Sequence, residues 1–246
     1  EGTGAPVSIG IDPQVPGTMV DLVVTKTNYF RYTDEVLVIS PDEPYVIYEE
    51  HTINDESGND NGMIDYAEQP MLSLTVWNIG NEDALGTEVK LRSGNPYIMI
   101  TDSTENYGDI PANQTAMVND GFIFTVADTI PDQELILFNV IATDGDTTWT
   151  SFFTMTAHAP VMELATFSIN DEDGNNNGRI DPGETAEVVV NISNFGSSDA
   201  FDVMTELVCN DEYIEIQTGA QSYGDLMVGD SSENSFTVYA AENTPG

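Results

Sequence analysis

Between Asp173 and Glu184 the chain reads D-G-N-N-N-G-R-I-D-P-G-E. Oxygen-bearing side chains fall at Asp173, Asn175 and Asn177, a glycine at Gly178, and further carboxylates at Asp181 and Glu184, with Asp171 just upstream. A divalent cation explains this order. Calcium takes six to eight hard oxygens at ~2.4 Å, so short side chains must arrive from alternate positions, a glycine must let the backbone turn, a carbonyl (here that of Arg179) contributes, and a glutamate closes the shell with two oxygens. The spacing is that of an EF-hand calcium loop. An Asn/Gly/Asp-rich turn without metal shares part of this composition, but has no need of a glutamate at the twelfth place. No helix-forming run flanks the loop, so it is expected between β-strands, in a structural role.

The loop has a sister. Ile53-Asn54-Asp55-Glu56 recurs 116 residues later as Ile169-Asn170-Asp171-Glu172, and the same offset carries Asn78 and Gly80 onto Asn194 and Gly196, and Tyr107-Gly108-Asp109 onto Tyr223-Gly224-Asp225. The first copy offers Asp55, Ser57, Asn59, Asn61, the carbonyl of Met63, Asp65 and Glu68 as its ligands. Ser57 stands where the second loop has Asp173, leaving Asp55 or Asp60 to supply the missing charge, and ligand charge count tunes affinity.

The elements that position these loops read as strands. Leu72, Leu74 and Val76, and again Phe122, Phe124 and Val126, alternate with period two, and turn-forming clusters interrupt the pattern every ~8–12 residues. Strands are expected near 45–53, 71–78, 84–92, 97–101, 116–127, 134–142 and 148–157, then again from 161. The fold class is all-β: tandem immunoglobulin-like antiparallel β-sandwiches with EF-hand-like calcium loops. Residues 45–160 form one module and 161–246 a second that stops before its last two strands, while 1–44 read as the closing strands of a preceding module, because Pro16-Gly17 and Pro44 share the phase of Pro131-Asp132 and Pro160.

A sandwich without two strands exposes backbone donors and an uncovered core face, which is a template for another chain. Residues 5–44 of one subunit are therefore a candidate to complete the 161–246 module of the next, head to tail, as a fibre. A segment cut from a longer array, or a small N-terminal domain, accounts for the same phase. Val7, Ile9 and Ile11 mimic Phe122, Phe124 and Val126 and would duplicate a strand at the junction.

The 246 residues carry 43 Asp and Glu against 5 Lys and Arg, a formal charge of -38. Such a surface repels nucleic acid and anionic membranes and attracts divalent cations; a saline habitat would favour it as well. No apolar run reaches the length of a membrane span. Glu1 follows no basic and apolar leader, so the string reads as a mature chain or an internal piece. Cys209 is the only cysteine, so calcium takes the place of an intrachain disulfide, and the weakly charged ligand sets suit extracellular calcium concentrations. A secreted bacterial protein is expected.

Catalytic chemistry finds little support. Cys209 replaces Ser93 of the sister module and shares a strand face with Phe201, Val203 and Leu207, which suits a small buried residue better than a nucleophile. His51 and His158 lie where strands begin or end without an orienting partner, and 43 acids make adjacent pairs such as Glu49-Glu50 unremarkable. No phosphate loop, His/Cys cluster or basic aromatic stripe is present, so a non-enzymatic protein is expected. Asn113 and Asn191 open N-x-[ST] patterns. Asp102-Ser103-Thr104, Asp128-Thr129-Ile130 and Asp146-Thr147-Thr148 resemble Asp-Ser/Thr-X glycan sites of Bacteroidetes. Trp77 and Trp149 suit core or groove filling.

Leu22 to Asp55, with V-V-T-K-T-N-Y-F-R-Y, P-Y-V-I-Y and I-N-D-E-S-G-N-D-N-G, resembles the β-sandwich region that follows the catalytic domain in gingipain-like secreted cysteine peptidases of Bacteroidetes-type bacteria. The N-I-G-N-E-D-A and N-F-G-S-S-D-A turns are similar to those of adhesion-type sandwich domains of bacterial surface proteins. The resemblance implies export and a non-catalytic role, either in a fibre or surface layer or as the stalk of a secreted peptidase or adhesin.

Overall fold

A computed structural model describes residues 10–12, 14–40 and 42–245. The expected duplicated strand through Val7 and Ile9 lies outside them. The fold is all-β, and among the described residues no helix forms.

The chain opens with a hairpin, β1 (Met19–Val24) and β2 (Tyr32–Leu37), which is a two-stranded sheet by itself. Both strands are exposed almost throughout, including Leu22, Val23, Val24, Tyr32 and Val36. A lone hairpin of this kind is marginally stable in water and needs a surface to lie on.

Residues 45–160 build two layers. One sheet orders β3 (Val46–Asn54), β5 (Met71–Asn78), β9 (Thr115–Val126) and β7 (Ile98–Asp102). The other orders β4 (Ile64–Asp65), β11 (Thr148–His158), β10 (Leu135–Thr143), β6 (Ala84–Ser93) and β8 (Thr104–Ile110). All pairings are antiparallel except β4 on β11. The period-two pattern has its physical cause here: Leu72, Leu74, Val76, Phe122 and Phe124 from one layer meet Val89, Leu91, Ile136, Phe138 and Val140 from the other in one core. Burying each such side chain is worth about 1.5–3 kcal/mol. An aromatic column runs through it, with Phe138 between Phe124 (5.3 Å) and Phe153 (5.2 Å), and Phe153 stacked on Tyr48 (4.7 Å) and His51 (4.5 Å). Trp149 is buried in this core.

The second module repeats part of this plan. β12 (Met162–Asn170), β13 (Thr185–Asn194), β17 (Ser231–Ala240) and β15 (Ile214–Ile216) form one sheet; β14 (Ala200–Glu206) pairs with β16 (Ala220–Leu226) alone. Among the described residues nothing occupies the side of β14 where β6 receives β10 in the first module. The consequence is visible in the core: Val188 and Val190 are only half buried where their counterparts Leu72 and Leu74 are fully buried, and Leu164 and Phe167 are 59% and 66% exposed. Cys209, expected to be buried, is exposed for the same reason. Its counterpart Ser93 stays in strand because Phe138 pairs with it, whereas β14 ends at Glu206.

Candidate functional site

Each of the two Asp- and Asn-rich loops leaves the first long strand of its module and returns into the second. In the first, Asp55 is 2% exposed and its carboxylate accepts the amides of Asn61 (2.9 Å) and Gly62 (3.1 Å). In the second, Asp171 is equally buried and accepts the amides of Asn177 (2.8 Å) and Gly178 (3.1 Å). These carboxylates draw the loop around themselves, with Gly62 and Gly178 at φ of 75° in the left-handed region that glycine enters without strain.

The amides converge on the next acid. Nδ2 of Asn59 and Asn61 donate to Asp65 Oδ2 at 3.0 and 2.8 Å, and Nδ2 of Asn175 and Asn177 donate to Asp181 Oδ2 at 2.6 Å each. The glutamate closes the loop: Glu68 accepts the Asn59 amide at 3.1 Å, and Glu184 accepts those of Asn175 (3.1 Å) and Asp181 (3.0 Å). Both carboxylates lie where a side chain on Gly58 or Gly174 would stand, so a Cβ at either glycine would overlap glutamate Oε1.

The structure therefore brings together Asp55, Asn59, Asn61, Asp65 and Glu68, and in register Asp171, Asn175, Asn177, Asp181 and Glu184. Ser57, Met63, Asp173 and Arg179 are exposed around them. Ser57 hydrogen-bonds weakly to the Gln69 carbonyl (3.4 Å), so the position where the two loops differ lies off the centre. Counting back from the glycine in the EF-hand pattern selects residues 57 and 173; the buried acid is two residues earlier in both copies.

Among the described residues no three carboxylate, imidazole or thiol groups stand close enough to hold a metal on their own. The donor set is mixed, and the asparagines lie between the acids. Two oxygens remain unsatisfied: Asp65 Oδ1 and Glu68 Oε2 are buried and accept no hydrogen bond. Burial, together with the charges of Asp65 and Asp55, pushes the Glu68 carboxyl above its ordinary range, against the opposing pull of the nearby Asn59 and Asp65 amides. Asp181 is held below the usual range by its two asparagine partners. Buried oxygens without donors, beside amides that turn their oxygen in by rotating, fit a hard cation. If bound, the ion would be held by the five side chains of each loop.

The first loop also touches the joint between modules. Ile64 and Asp65 pair with Ala157 and His158, the Tyr66 amide donates to the His158 carbonyl (2.9 Å), and Tyr66 Oη donates to the Asp199 carbonyl (3.2 Å). The loop thus sits where the chain leaves its module, beside the following one. Beside it, Ser197 Oγ bridges His158 Nδ1 (2.7 Å) and Asp132 Oδ1, and also accepts Gln133 Nε2 (2.8 Å). A nucleophilic triad places imidazole between hydroxyl and acid; here the hydroxyl is in the middle, which makes a hydrogen-bonded joint. His51 lies inside β3, with Nδ1 2.7 Å from Tyr48 Oη.

Two residues that the repeat marked without explaining are Asn78 and Asn194, both fully buried. Asn78 donates to the carbonyls of Glu82 and Ile110 and accepts the amides of Tyr45 and Gly80; Asn194 donates to Ser198 and Leu226 and accepts Val161 and Gly196. Of the sequons, Asn113 lies exposed in the turn before β9 and Asn191 lies within β13.

Neither a protein-family model nor a curated protein sequence matches the chain. Solved structures do. A Porphyromonas gingivalis protein of unknown function is 11% identical over 80% of each chain, with a TM-score of 0.23. Escherichia coli alpha-2-macroglobulin is 10% identical over 88% of this chain and 16% of its own, with a TM-score of 0.34. The CsuC-CsuE chaperone and tip adhesion subunit complex of Acinetobacter baumannii pili is 12% identical over 70% and 85%, with a TM-score of 0.21. At these TM-scores and identities the likenesses carry no argument about this chain. No helix among the described residues is long and apolar enough to cross a membrane.

Proposed function

We propose that the chain is a non-enzymatic extracellular structural protein, built of tandem immunoglobulin-like sandwiches whose two EF-hand-like loops hold calcium and whose copies join head to tail. The observation that carries the reading is a match between two hairpins. In the first module the Gln133 amide donates to the Ala157 carbonyl (3.0 Å) and the Ala157 amide to Glu134 (2.9 Å); in the N-terminal hairpin the Gly17 amide donates to Val38 (2.7 Å) and the Val38 amide to Thr18 (2.9 Å). Gly17 and Gln133 share the left-handed conformation, at φ of 87° and 62°, and stand 116 residues apart. The N-terminal hairpin thus has the corner of β10–β11, and β10–β11 is the piece that the second module has no counterpart for among the described residues.

The role of calcium rests on the buried, unpartnered oxygens of Asp65 and Glu68. An ion in the first loop would stiffen the joint through Tyr66, and so set the angle between successive modules. Electron microscopy of the purified chain, with calcium and with chelator, tests both parts. Filaments with a regular axial repeat in calcium are the expected result. Isolated short rods in both conditions would favour the stalk of a secreted peptidase or adhesin and overturn the fibre.

A further inference from the structure

We infer that copies of this chain associate side by side, the outer face of β11, β10 and β6 in one copy's first module taking the outer face of β14 and β16 in another copy's second module. Lys90, Arg92 and Phe152 of the one meet Asp202, Glu206 and Phe201 of the other. The contact uses no residue of the Asp- and Asn-rich loops and none of the N-terminal hairpin.

The starting observation is where the chain places its cations. It has five Lys and Arg against 43 acids, and the two that fall within residues 45–160 are Lys90 and Arg92, both on β6. Val89 and Leu91 fill the core, so the two cations point outward. Their partners on the neighbouring strands are uncharged: Lys90 lies between Ile141 and Thr104, and Arg92 lies opposite Asn139, which in turn is opposite Phe152. Glu88 is exposed on the same face. Phe152 is 68% exposed and Leu137 46%, and direct and diagonal neighbours across strands lie within about 8 Å, so cations and apolar side chains form one patch. Contiguous exposed apolar surface marks a contact site, and arginine and aromatic residues are the side chains enriched there. Salt screens charge beyond ~8 Å, so a group arriving at this face meets the two cations and not the net charge of -38. The patch suits an acidic partner that also brings apolar side chains.

The second module offers such a face at the equivalent place. The 116-residue offset holds across the paired strands, because the Gly86 amide donates to Asp109 Oδ1 (2.8 Å) and the Asp202 amide to Asp225 Oδ1 (3.0 Å). Glu206 stands in the place of Lys90, and Phe201 in that of Leu85. Asp202, Met204 and Glu206 are all exposed. Phe201 is 56% exposed and Leu85 60%, so this exposure belongs to the position itself: it is the same in the first module, where β10 lies beside β6. Corresponding faces of the two modules therefore share apolar character and carry opposite charge, which favours this pairing over a meeting of like faces.

The size of the face sets the strength of the contact. Four strands at ~4.8 Å and eight residues at ~3.4 Å give roughly 500 Å². A stable interface takes about 800 Å² from each partner, so a single contact of this kind is transient and reversible.

Charge exchange tests it. The full chain in calcium and about 0.15 M salt is followed by sedimentation velocity over a range of concentrations. The unaltered chain is expected to associate, with a sedimentation coefficient that rises with concentration. Lys90→Glu, and separately Glu206→Lys, are expected to weaken this association at least tenfold, and an equimolar mixture of the two chains to restore it, because each then meets a complementary face. Neither residue lies in the core, so thermal melting is expected to stay unchanged in both variants, which separates a lost contact from a lost fold. Association indifferent to both reversals, or reversals that mixing fails to restore, would overturn the side-by-side contact; head-to-tail assembly uses neither residue and is judged separately. A chain that stays monomeric at every concentration would also overturn it, and binding of poly-glutamate or of hyaluronan that Lys90→Glu abolishes would then assign the face to another acidic partner.

Discussion

Asn194 reaches back 33 residues to accept the Val161 amide at 3.1 Å, and so ties the strand that begins the second module to the turn that follows its second strand. The same bond joins Asn78 to Tyr45 at 3.0 Å in the first module. Each asparagine uses its full amide without water. Asn78→Ala strands two amide donors and two carbonyls in a buried corner, and a buried group left without a partner costs about 1–3 kcal/mol. A loss of roughly 3–5 kcal/mol is expected for the first module, read by urea unfolding. Both tryptophans, Trp77 and Trp149, lie in that module, so their fluorescence follows it alone. Asn194→Ala is expected to leave this signal in place while making the second module sensitive to protease.

The glycine two residues on is fixed by backbone, not by conformation. A Cβ on Gly196 would overlap the Ala159 carbonyl and the Val161 amide, where the linker between modules crosses. Gly196→Ala must therefore push the linker away and loosen the bonds of Ser197 to Ala159 and of Phe195 to Val161. Gly94 has open space around its Cβ position, and Gly94→Ala is expected to be neutral or slightly stabilising. Thermal unfolding of the two variants side by side separates close approach from generic glycine effects: a drop of several degrees for Gly196→Ala against none for Gly94→Ala.

The loops distinguish the acid that organises them from the acid that spacing selects. Asp171 is buried and accepts two backbone amides, whereas Asp173 is exposed. Calcium titration by calorimetry is expected to show affinity falling about tenfold or more for Asp171→Asn and far less for Asp173→Asn, as loss of a ligand-orienting carboxylate does. Equal losses would return the exposed acid to the centre. The first loop offers the same contrast in Asp55→Asn against Ser57→Ala.

Much of this was legible in the chain. Strand positions follow from the alternation of Leu72, Leu74 and Val76, because the pleat puts every second side chain into the core. The 116-residue offset carries the whole loop with it, so the sequence marks the residues that each loop brings together, Asp55 and Asp171 among them. What spacing could not assign was rank: a pattern counted from Gly178 has no means of knowing that the carboxylate five places before it is outcompeted by one two residues earlier that the fold buries. β8 escaped because Asn106, Gly108 and Asp109 interrupt its apolar residues, although the recurring Tyr107 marks it; Tyr107 Oη donates to the Leu74 carbonyl across the sandwich. Cys209 was misplaced for a different reason. Its strand face is apolar, but burial there depends on a neighbouring strand, and side-chain pattern says nothing about which edges are filled.

His51 gives the fold a pH dependence with a definite sign. The imidazole lies within β3, stacked on Phe153 at 4.5 Å, and burial pushes its pKa below the usual histidine value of 6.5. The unfolded chain therefore takes up a proton at 6.5 while the folded one resists it, so the unfolded state binds more protons in the window beneath that value. The stability associated with neutral His51 is present above pH 6.5 and is lost as the pH falls through the lower folded pKa. Most carboxylates titrate below the interval between pH 7 and pH 5.5, and comparison with a variant that lacks the imidazole separates the share of His51 from that of other groups. Tryptophan-monitored melting of the calcium-free chain is expected to fall across that interval and to flatten in His51→Phe, which keeps the stack on Phe153 and removes the proton site. A slope that persists in His51→Phe would place the titration on another group.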